Sequence, residues 1–120
     1  MENSYVAPKR YCKTLRLHDD DALITAYQQA HAPGAAWPEI TQGMREVGIL
    51  DMEIYLLGAQ LFMIMDTEPG FDHDTAMRKL ATLPRQAEWE AHVAAFQQTS
   101  ATASANEKWQ LMERIYKLGA

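Results

Sequence analysis

The sequence predicts an α+β fold, a ferredoxin-like sandwich in which a four-stranded antiparallel sheet carries helices on one face. Four segments alternate in the manner of strands. The segments between the first and second strands, and after the third, carry apolar residues at helical spacing. The two middle strands meet at Gly58, which predicts a hairpin. The order strand, helices, strand, strand, helices, strand is that of a split βαβ sandwich.

Length and composition fit one compact domain. A chain of 120 residues buries about two-thirds of the surface that it exposes when unfolded. This is enough for a hydrophobic core that is stable without disulfides or a structural metal. Hydrophobic residues make up 48% and charged residues 22%, which excludes extended disorder over most of the chain. We predict a single domain over residues 1–120, with residues 1–8 as a loose polar lead-in.

Charge, cysteine content and hydropathy exclude several kinds of partner. The net charge is -5 and no basic stripe is present, which argues against nucleic acid and favours a neutral or small ligand. Cys12 is the only cysteine, so neither an internal disulfide nor a four-thiolate zinc site can form. The apolar run Leu61–Met65 is too short to span a bilayer, and the first residues lack the apolar core of a signal peptide. We therefore expect a cytoplasmic protein without a membrane partner.

The first strand is predicted over Lys9–Leu17. The residues on its core-facing side are Tyr11, Lys13, Leu15 and Leu17. Lys13 interrupts this apolar set, and two interpretations are open. Its ammonium group reaches the edge of the sheet, or it contacts something polar in a cavity.

The next segment carries the best candidate for chemistry. If Asp20–Ala32 is a helix, Leu23, Tyr27 and His31 lie on one stripe at successive i, i+4 steps, and that stripe faces inward. The helix ends before Pro33. His31 is then either a hydrogen-bonded core residue or an ionisable group at the opening of a pocket.

An acidic run precedes this helix. His18 and the aspartates that follow it resemble a set of metal ligands. Acidic residues at a helix start are explained by capping and by the helix dipole, so we predict no metal site there.

A second helix begins at Pro38, directly after Trp37. Trp37 therefore lies at a hinge near His31. It either covers the core at this break or offers a ligand a stacking surface and an indole donor.

The predicted hairpin consists of Ile49–Leu57 and Ala59–Asp66, and its strands carry apolar residues on both sides. The chain's own helices cover one face of the sheet. A second copy of the protein is the simplest cover for the other face, so we predict a homodimer packed sheet to sheet. Glu53 interrupts the apolar pattern and is either a member of a buried pair or a site residue.

The rest of the chain completes the fold. Thr67–Asp74 is predicted to be a loop with a solvated His73, and Thr75–Ala81 a short helix. A small polar linker over Thr99–Asn106 is followed by alternation over Trp109–Lys117, which predicts the last strand.

A longer helix begins at Pro84, and Trp89, Val93 and Phe96 form its apolar stripe. Such a stripe is typical of a core. Trp89 is its first large residue, and it either packs in that core or lines a cleft beside His31.

The sequence resembles the L-rhamnose mutarotase family of sugar anomer isomerases, and within it the branch of L-fucose mutarotases. The resemblance covers nearly the whole chain. It is carried by KRYCKTLRL, by Tyr27-x-x-x-His31 followed by Trp37-Pro38-Glu39, by GILDMEIYLL with LFMIMDT, by LPRQAEWEAHV, and by EKWQLMERIYKL. The family fold implied is a ferredoxin-like domain that dimerises through its sheets, a dimeric α+β barrel.

The resemblance also implies roles for residues. In rhamnose-specific members a helix histidine donates a proton and the tyrosine one turn earlier binds sugar; these positions fall on His31 and Tyr27. A second sugar-binding tyrosine corresponds to Met52, and a pair of tryptophans corresponds to Glu88 and Trp89. These two departures favour a different hydroxyl pattern on the sugar, as in L-fucose.

The implied reaction opens and recloses the ring of a small neutral monosaccharide, with His31 as acid and base. It needs no metal and no organic cofactor. Tyr27, Lys13 and Glu53 are expected to bind sugar hydroxyls, with Glu53 or a water as the second proton carrier. Trp37 and Trp89 are expected to border the apolar face of the sugar.

Three alternatives stay open on the sequence. The sugar could be L-rhamnose. A monooxygenase or haem-degrading enzyme of the dimeric α+β barrel type would use His31 as a haem ligand or the tryptophans near oxygen. A non-catalytic module would bind a small ligand without accelerating exchange of its anomers.

Overall fold

A computed structural model describes residues 6–119 as a four-stranded antiparallel sheet with helices on one face. The strands are β1 (Lys9–Arg16), β2 (Ile49–Leu57), β3 (Gln60–Thr67) and β4 (Gln110–Leu111), and the helices are α1 (Asp21–Ala30), α2 (Pro38–Glu46), α3 (His73–Leu80), α4 (Gln86–Ala94) and α5 (Ala105–Lys108). The strand order β2-β3-β1-β4 confirms the predicted α+β, ferredoxin-like sandwich. The lead-in predicted over residues 1–8 lies mostly outside the described residues, and residues 6–8 are exposed without regular structure.

The predicted hairpin is confirmed. Leu57 pairs with Gln60 at the end of β2 and β3, and the intervening turn places Gly58 at a φ of 60°, a left-handed conformation that glycine adopts without strain. Strand β1 lies between β3 and β4, with Lys13 opposite Met63 on one side and Leu111 on the other. Lys13 therefore occupies the interior of the sheet.

The two faces of the sheet differ in cover. Side chains of β1 and β3 that point toward the helices form the core with Tyr27, Trp89 and residues of α2 and α3. On β2, Met52, Ile54 and Leu56 pack against this core, so the residues that alternate with them point to the other face. That second face exposes Tyr55 and Leu57, which are 54% and 84% accessible.

The start of α1 follows from its acidic run. The Asp20 carboxylate accepts a hydrogen bond from the backbone N–H of Leu23 at 3.0 Å, so it caps the helix as predicted. Within residues 6–119, no three His, Cys, Asp or Glu side chains are grouped so that they could hold a metal ion.

His73 is not in a solvated loop. Helix α3 begins at His73, because Asp72 caps it by accepting a hydrogen bond from the N–H of Thr75 at 3.1 Å. The His73 side chain is only 15% exposed and packs 4.9 Å from the ring of Tyr11. The imidazole of His73 is therefore partly buried against Tyr11, and the prediction that it is solvated was wrong.

The end of the chain also differs from the prediction of a strand over Trp109–Lys117. Ser104 and Glu107 form a capping box, so α5 begins inside the predicted linker. Strand β4 is only two residues long, and after the bond from the Met112 N–H to the Cys12 carbonyl the chain leaves the sheet. Its alternating apolar side chains do not pack on the rest of residues 6–119, and Ile115 is 90% exposed.

In the part of the chain that is described, every helix is too short or too polar to cross a membrane.

Candidate active site

A cavity of about 420 Å³ lies between the sheet and the helix layer. This volume is within the range of small-molecule sites and is large enough for a monosaccharide. Apolar side chains of β2, β3 and α2 form much of its wall. Its polar lining includes Lys13, Tyr27, His31, Gln86, Glu90 and Gln97.

His31 follows the last residue of α1, at the mouth of the cavity, where it is exposed. Its backbone N–H bonds to the Gln28 carbonyl, which leaves the carbonyl of Tyr27 without its usual helical donor. Nδ1 of His31 lies 2.9 Å from that carbonyl oxygen. Because a carbonyl only accepts, Nδ1 carries the proton of this bond, and Nε2 is left to exchange a proton with a ligand.

The surroundings of His31 favour its neutral form. Desolvation by the surrounding protein lowers the pKa of the imidazole, although the ring is at the mouth of the cavity. The bond to the Tyr27 carbonyl and the negative charge of Glu90 oppose this shift without reversing it. At neutral pH the ring is therefore ready to accept a proton at Nε2.

Two aromatic rings hold the imidazole in place. The ring of Tyr27 lies 4.3 Å from that of His31, and the indole of Trp89 lies 5.4 Å away at a steep angle. Tyr27 and Trp89 are 4% and 6% exposed. Since both rings are anchored in the core, the imidazole has a fixed position beside the cavity.

Trp37 packs against Trp89, the tryptophan that contacts His31. Its ring packs 5.1 Å from Trp89 and 5.5 Å from His92, and the guanidinium carbon of Arg85 lies 4.1 Å from its centre. Trp37 is not among the side chains that line the cavity. The expected contact with sugar therefore fits Trp89 and not Trp37.

Lys13 lies inside the cavity and not at an edge of the sheet. The residue is 2% exposed, and its ammonium group makes no hydrogen bond or salt bridge with residues 6–119. Burial lowers the pKa of Lys13 to about 8, and the charge of Asp74 opposes the shift. Of the two interpretations of Lys13, contact with a polar group in a cavity is the one that agrees with its position.

Glu53 lies on the opposite face of the sheet. Its carboxylate accepts a hydrogen bond from the Tyr55 hydroxyl at 3.0 Å, and both residues are exposed. The expectation that Glu53 binds sugar in this cavity is corrected by its position, because the neighbours Met52 and Ile54 take the inward places on β2.

A buried polar network that the sequence analysis missed supports the inner wall. The ammonium group of Lys108 forms a 2.8 Å salt bridge with Glu90 and donates to the side-chain oxygen of Gln97 at 2.8 Å. The second Glu90 oxygen accepts from Gln86 at 2.6 Å. Burial raises the pKa of the Tyr27 hydroxyl, and the side chain of Gln97 beside it lowers that pKa by less.

A sequence signal for this network existed. Gln86, Glu90, Val93 and Gln97 recur at i, i+4, i+7 and i+11, which places three polar residues on one helical stripe. Lys108 has no such signal, because it follows a small polar segment with no periodicity.

Fold and site together define a class: a small α+β sandwich with an imidazole and an ammonium group in one sugar-sized cavity. Residues 10–118 match the family model described as L-rhamnose mutarotase. The chain belongs to the L-rhamnose mutarotase family and is a sugar mutarotase, an isomerase.

Individual relatives agree with this family. The chain is 36% identical over 110 residues to an L-fucose mutarotase of Xanthomonas campestris pv. campestris, covering 92% of this chain and 88% of the relative. It is 32% identical over 114 residues to a protein of Dictyostelium discoideum whose name states no activity, covering 92% and 90% of the two chains. The crystal structure of an L-rhamnose mutarotase from Formosa agariphila has the same fold, with a TM-score of 0.65 at 16% identity over 92% of this chain and 99% of that one.

Proposed function

We propose that the protein interconverts the α and β anomers of L-fucose and that His31 carries the proton. The observation that supports His31 is its geometry: Nδ1 is tied to the Tyr27 carbonyl, and Nε2 is left for a ligand in a cavity of sugar size. The relative from Xanthomonas campestris, which is named an L-fucose mutarotase, supports the choice of sugar.

Two positions favour L-fucose over L-rhamnose. Met52 lines the cavity where rhamnose-specific members carry a sugar-binding tyrosine, so a hydroxyl donor is missing from that wall. Glu88 is exposed and pairs with Arg85 at 3.0 Å, so only Trp89 of the corresponding tryptophan pair borders the cavity. A sugar with a different hydroxyl pattern suits this wall better.

The reaction needs proton transfer at two oxygens. One proton leaves the anomeric hydroxyl while another reaches the ring oxygen, the C1–O5 bond breaks, and an open-chain aldehyde forms. Rotation about the C1–C2 bond and reclosure by the reverse steps give the other anomer. General acid or base assistance of this kind contributes roughly 10² to 10⁴-fold to the rate.

The remaining cavity residues hold the sugar. The Tyr27 hydroxyl and the Lys13 ammonium group hydrogen-bond to its hydroxyls, and the indole of Trp89 borders its apolar face. Trp37 acts through Trp89, since their rings are in contact. These roles keep the sugar beside Nε2 of His31.

Exchange between the anomeric proton signals of L-fucose, measured by saturation-transfer NMR, tests this function. We expect His31→Asn to abolish the catalysed exchange, because the amide cannot carry a proton. His18→Asn is the matched control, since His18 is exposed and outside the cavity, and it should keep wild-type exchange. Near wild-type exchange in His31→Asn would remove His31 from the mechanism, and faster exchange of L-rhamnose, D-arabinose or L-galactose than of L-fucose would reassign the substrate.

We also propose that the protein is a homodimer packed through the uncovered sheet face. That face exposes Tyr55 and Leu57, and the segment over residues 112–119 is exposed and carries further apolar side chains. The chain's own helices lie on the other face, so a second copy is the occupant that covers both features. Light scattering at micromolar concentration should give twice the chain mass of 13.6 kDa, and a folded monomer would contradict the proposal.

A further inference from the structure

Ring opening requires a second proton carrier besides His31, and the structure narrows the choice. Glu53 cannot serve in this cavity, because its carboxylate is on the other face of the sheet. Glu90 lines the cavity, but Lys108 and Gln86 already occupy both of its oxygens. A carboxylate held in a salt bridge is a poor proton acceptor, because its protonation would leave the buried Lys108 ammonium group unpaired.

Lys13 is in a different situation. It lies in the interior of the sheet, where pairing with Met63 and Leu111 fixes its backbone on both sides. It is buried, it lines the cavity, and its ammonium group has no hydrogen-bond or salt-bridge partner among residues 6–119. Burying an ammonium group without hydrogen-bond partners is energetically unfavourable. The N–H groups of Lys13 are therefore free to donate to an oxygen of a ligand in the cavity.

The charged and titratable groups around Lys13 come from several elements. Those that line the same cavity are Tyr27 and His31 from the region of α1, Arg45 from α2, Asp51 from β2 and Glu90 from α4. Asp74 of α3 acts on Lys13 through its charge. None of them forms a salt bridge with the Lys13 ammonium group. The N–H groups of Lys13 can therefore donate hydrogen bonds to a bound sugar.

We propose that Lys13 is the second proton carrier: its ammonium group donates a proton to the ring oxygen while Nε2 of His31 accepts the proton of the anomeric hydroxyl. This inference rests on the proposed function, because it completes the same reaction. It turns Lys13 from a residue that only binds hydroxyls into a catalytic residue.

The step balances without any other reactant. The O1–H bond breaks and its proton moves to Nε2, the C1–O5 bond breaks, and O5 takes a proton from Nζ of Lys13. The products are an open-chain aldehyde, an imidazolium ion and a neutral amine, so the total charge of the site stays the same. Closure returns the proton of the imidazolium to O1 and that of the C5 hydroxyl to the amine.

The electrostatics of the site agree with this division of roles. The pKa of His31 is lowered and that of Lys13 is about 8, so a neutral imidazole and an ammonium group coexist at neutral pH. The catalysed rate at low sugar concentration should then fall on the alkaline side near pH 8, as Lys13 loses its proton.

The pH dependence of L-fucose anomer exchange in wild type and in Lys13→Met tests the inference. We expect Lys13→Met to lower the catalysed exchange on the order of 100-fold and to abolish the alkaline fall. Lys79→Met, an exposed change of the same kind on α3, should leave rate and profile unchanged. Lys13→Met with an unchanged alkaline fall, or with a rate near that of wild type, would overturn the inference.

Lys13→Arg provides an independent measurement if the methionine variant folds poorly. A guanidinium group keeps the charge but does not release its proton at accessible pH. The catalysed rate should therefore fall as it does in Lys13→Met, and the remaining rate should show no alkaline fall. A fall that stays near pH 8 would show that another group titrates there and would overturn the inference. Failure of the proposed function looks different, since the wild-type protein itself would then catalyse no exchange.

Discussion

Replacing Lys13 by methionine should stabilise the protein at neutral pH while it impairs exchange. Methionine has a similar length and no charge, so it fills the same space without a buried ammonium group. The reason for the gain is the 2% exposure of Lys13 together with the absence of a hydrogen-bond or salt-bridge partner among residues 6–119.

The size of the effect follows from the pKa of Lys13. A decrease from 10.5 to about 8, at about 1.4 kcal/mol per pKa unit, corresponds to roughly 3 kcal/mol. The cost is fully present below pH 8, where Lys13 is protonated in both the folded and the unfolded chain. It is lost as the pH rises from about 8 toward 10.5. The free energy of unfolding of wild type should therefore approach that of Lys13→Met over this pH range.

Urea denaturation of both proteins at equal concentration measures this difference. At pH 7 the free energy of unfolding of Lys13→Met should exceed that of wild type by roughly 3 kcal/mol, and at pH 10 the gap should narrow to about 1 kcal/mol. Lys79→Met controls for the loss of a lysine at the surface. A methionine variant that is less stable than wild type at pH 7 would show that the ammonium group has a stabilising partner, and the reasoning would fail.

Two other predictions concern the network and the uncovered face. Lys108→Met should lower the free energy of unfolding by about 3–5 kcal/mol, because it leaves the Glu90 carboxylate buried without its ion-pair partner. Urea denaturation measures this loss. A loss below about 1 kcal/mol, the range of an exposed ion pair, would show that the salt bridge does not stabilise the fold. Leu57→Lys should dissociate the proposed dimer into monomers of 13.6 kDa by light scattering, whereas the matched change Val6→Lys, at an exposed apolar position outside the sheet, should not.

Much of the sheet could be predicted because its signal is local. Alternation over Lys9–Leu17 and Ile49–Leu57 reflects two faces with different surroundings, and a glycine between two such runs fixes the hairpin register. The alternation over Trp109–Lys117 has the same form but was misleading. Alternation of apolar residues indicates that one side of a segment is buried. It does not indicate whether the same chain or another molecule packs on that side.

The site could be predicted only in part, for a related reason. The spacing of Tyr27 and His31 places both on one helical stripe, and the structure brings them together at the cavity. Glu53 looked equivalent to Lys13, since each is a charge within an apolar strand, yet their side chains point to opposite faces. Which face a strand residue takes depends on packing with distant elements. The contact between Lys108 and Glu90 joins residues 18 positions apart, and no local pattern shows it.

The attachment of His31 to its own helix has a consequence for how the site tolerates change. Its Nδ1 partner is a main-chain carbonyl at the negative end of the α1 dipole, and this end favours a cation on the ring. No side-chain replacement at Gln28, Gln29 or Ala30 deletes that acceptor. Neighbouring positions can therefore drift in sequence while the orientation and basicity of the imidazole are retained, provided that the helix still terminates at the same residue.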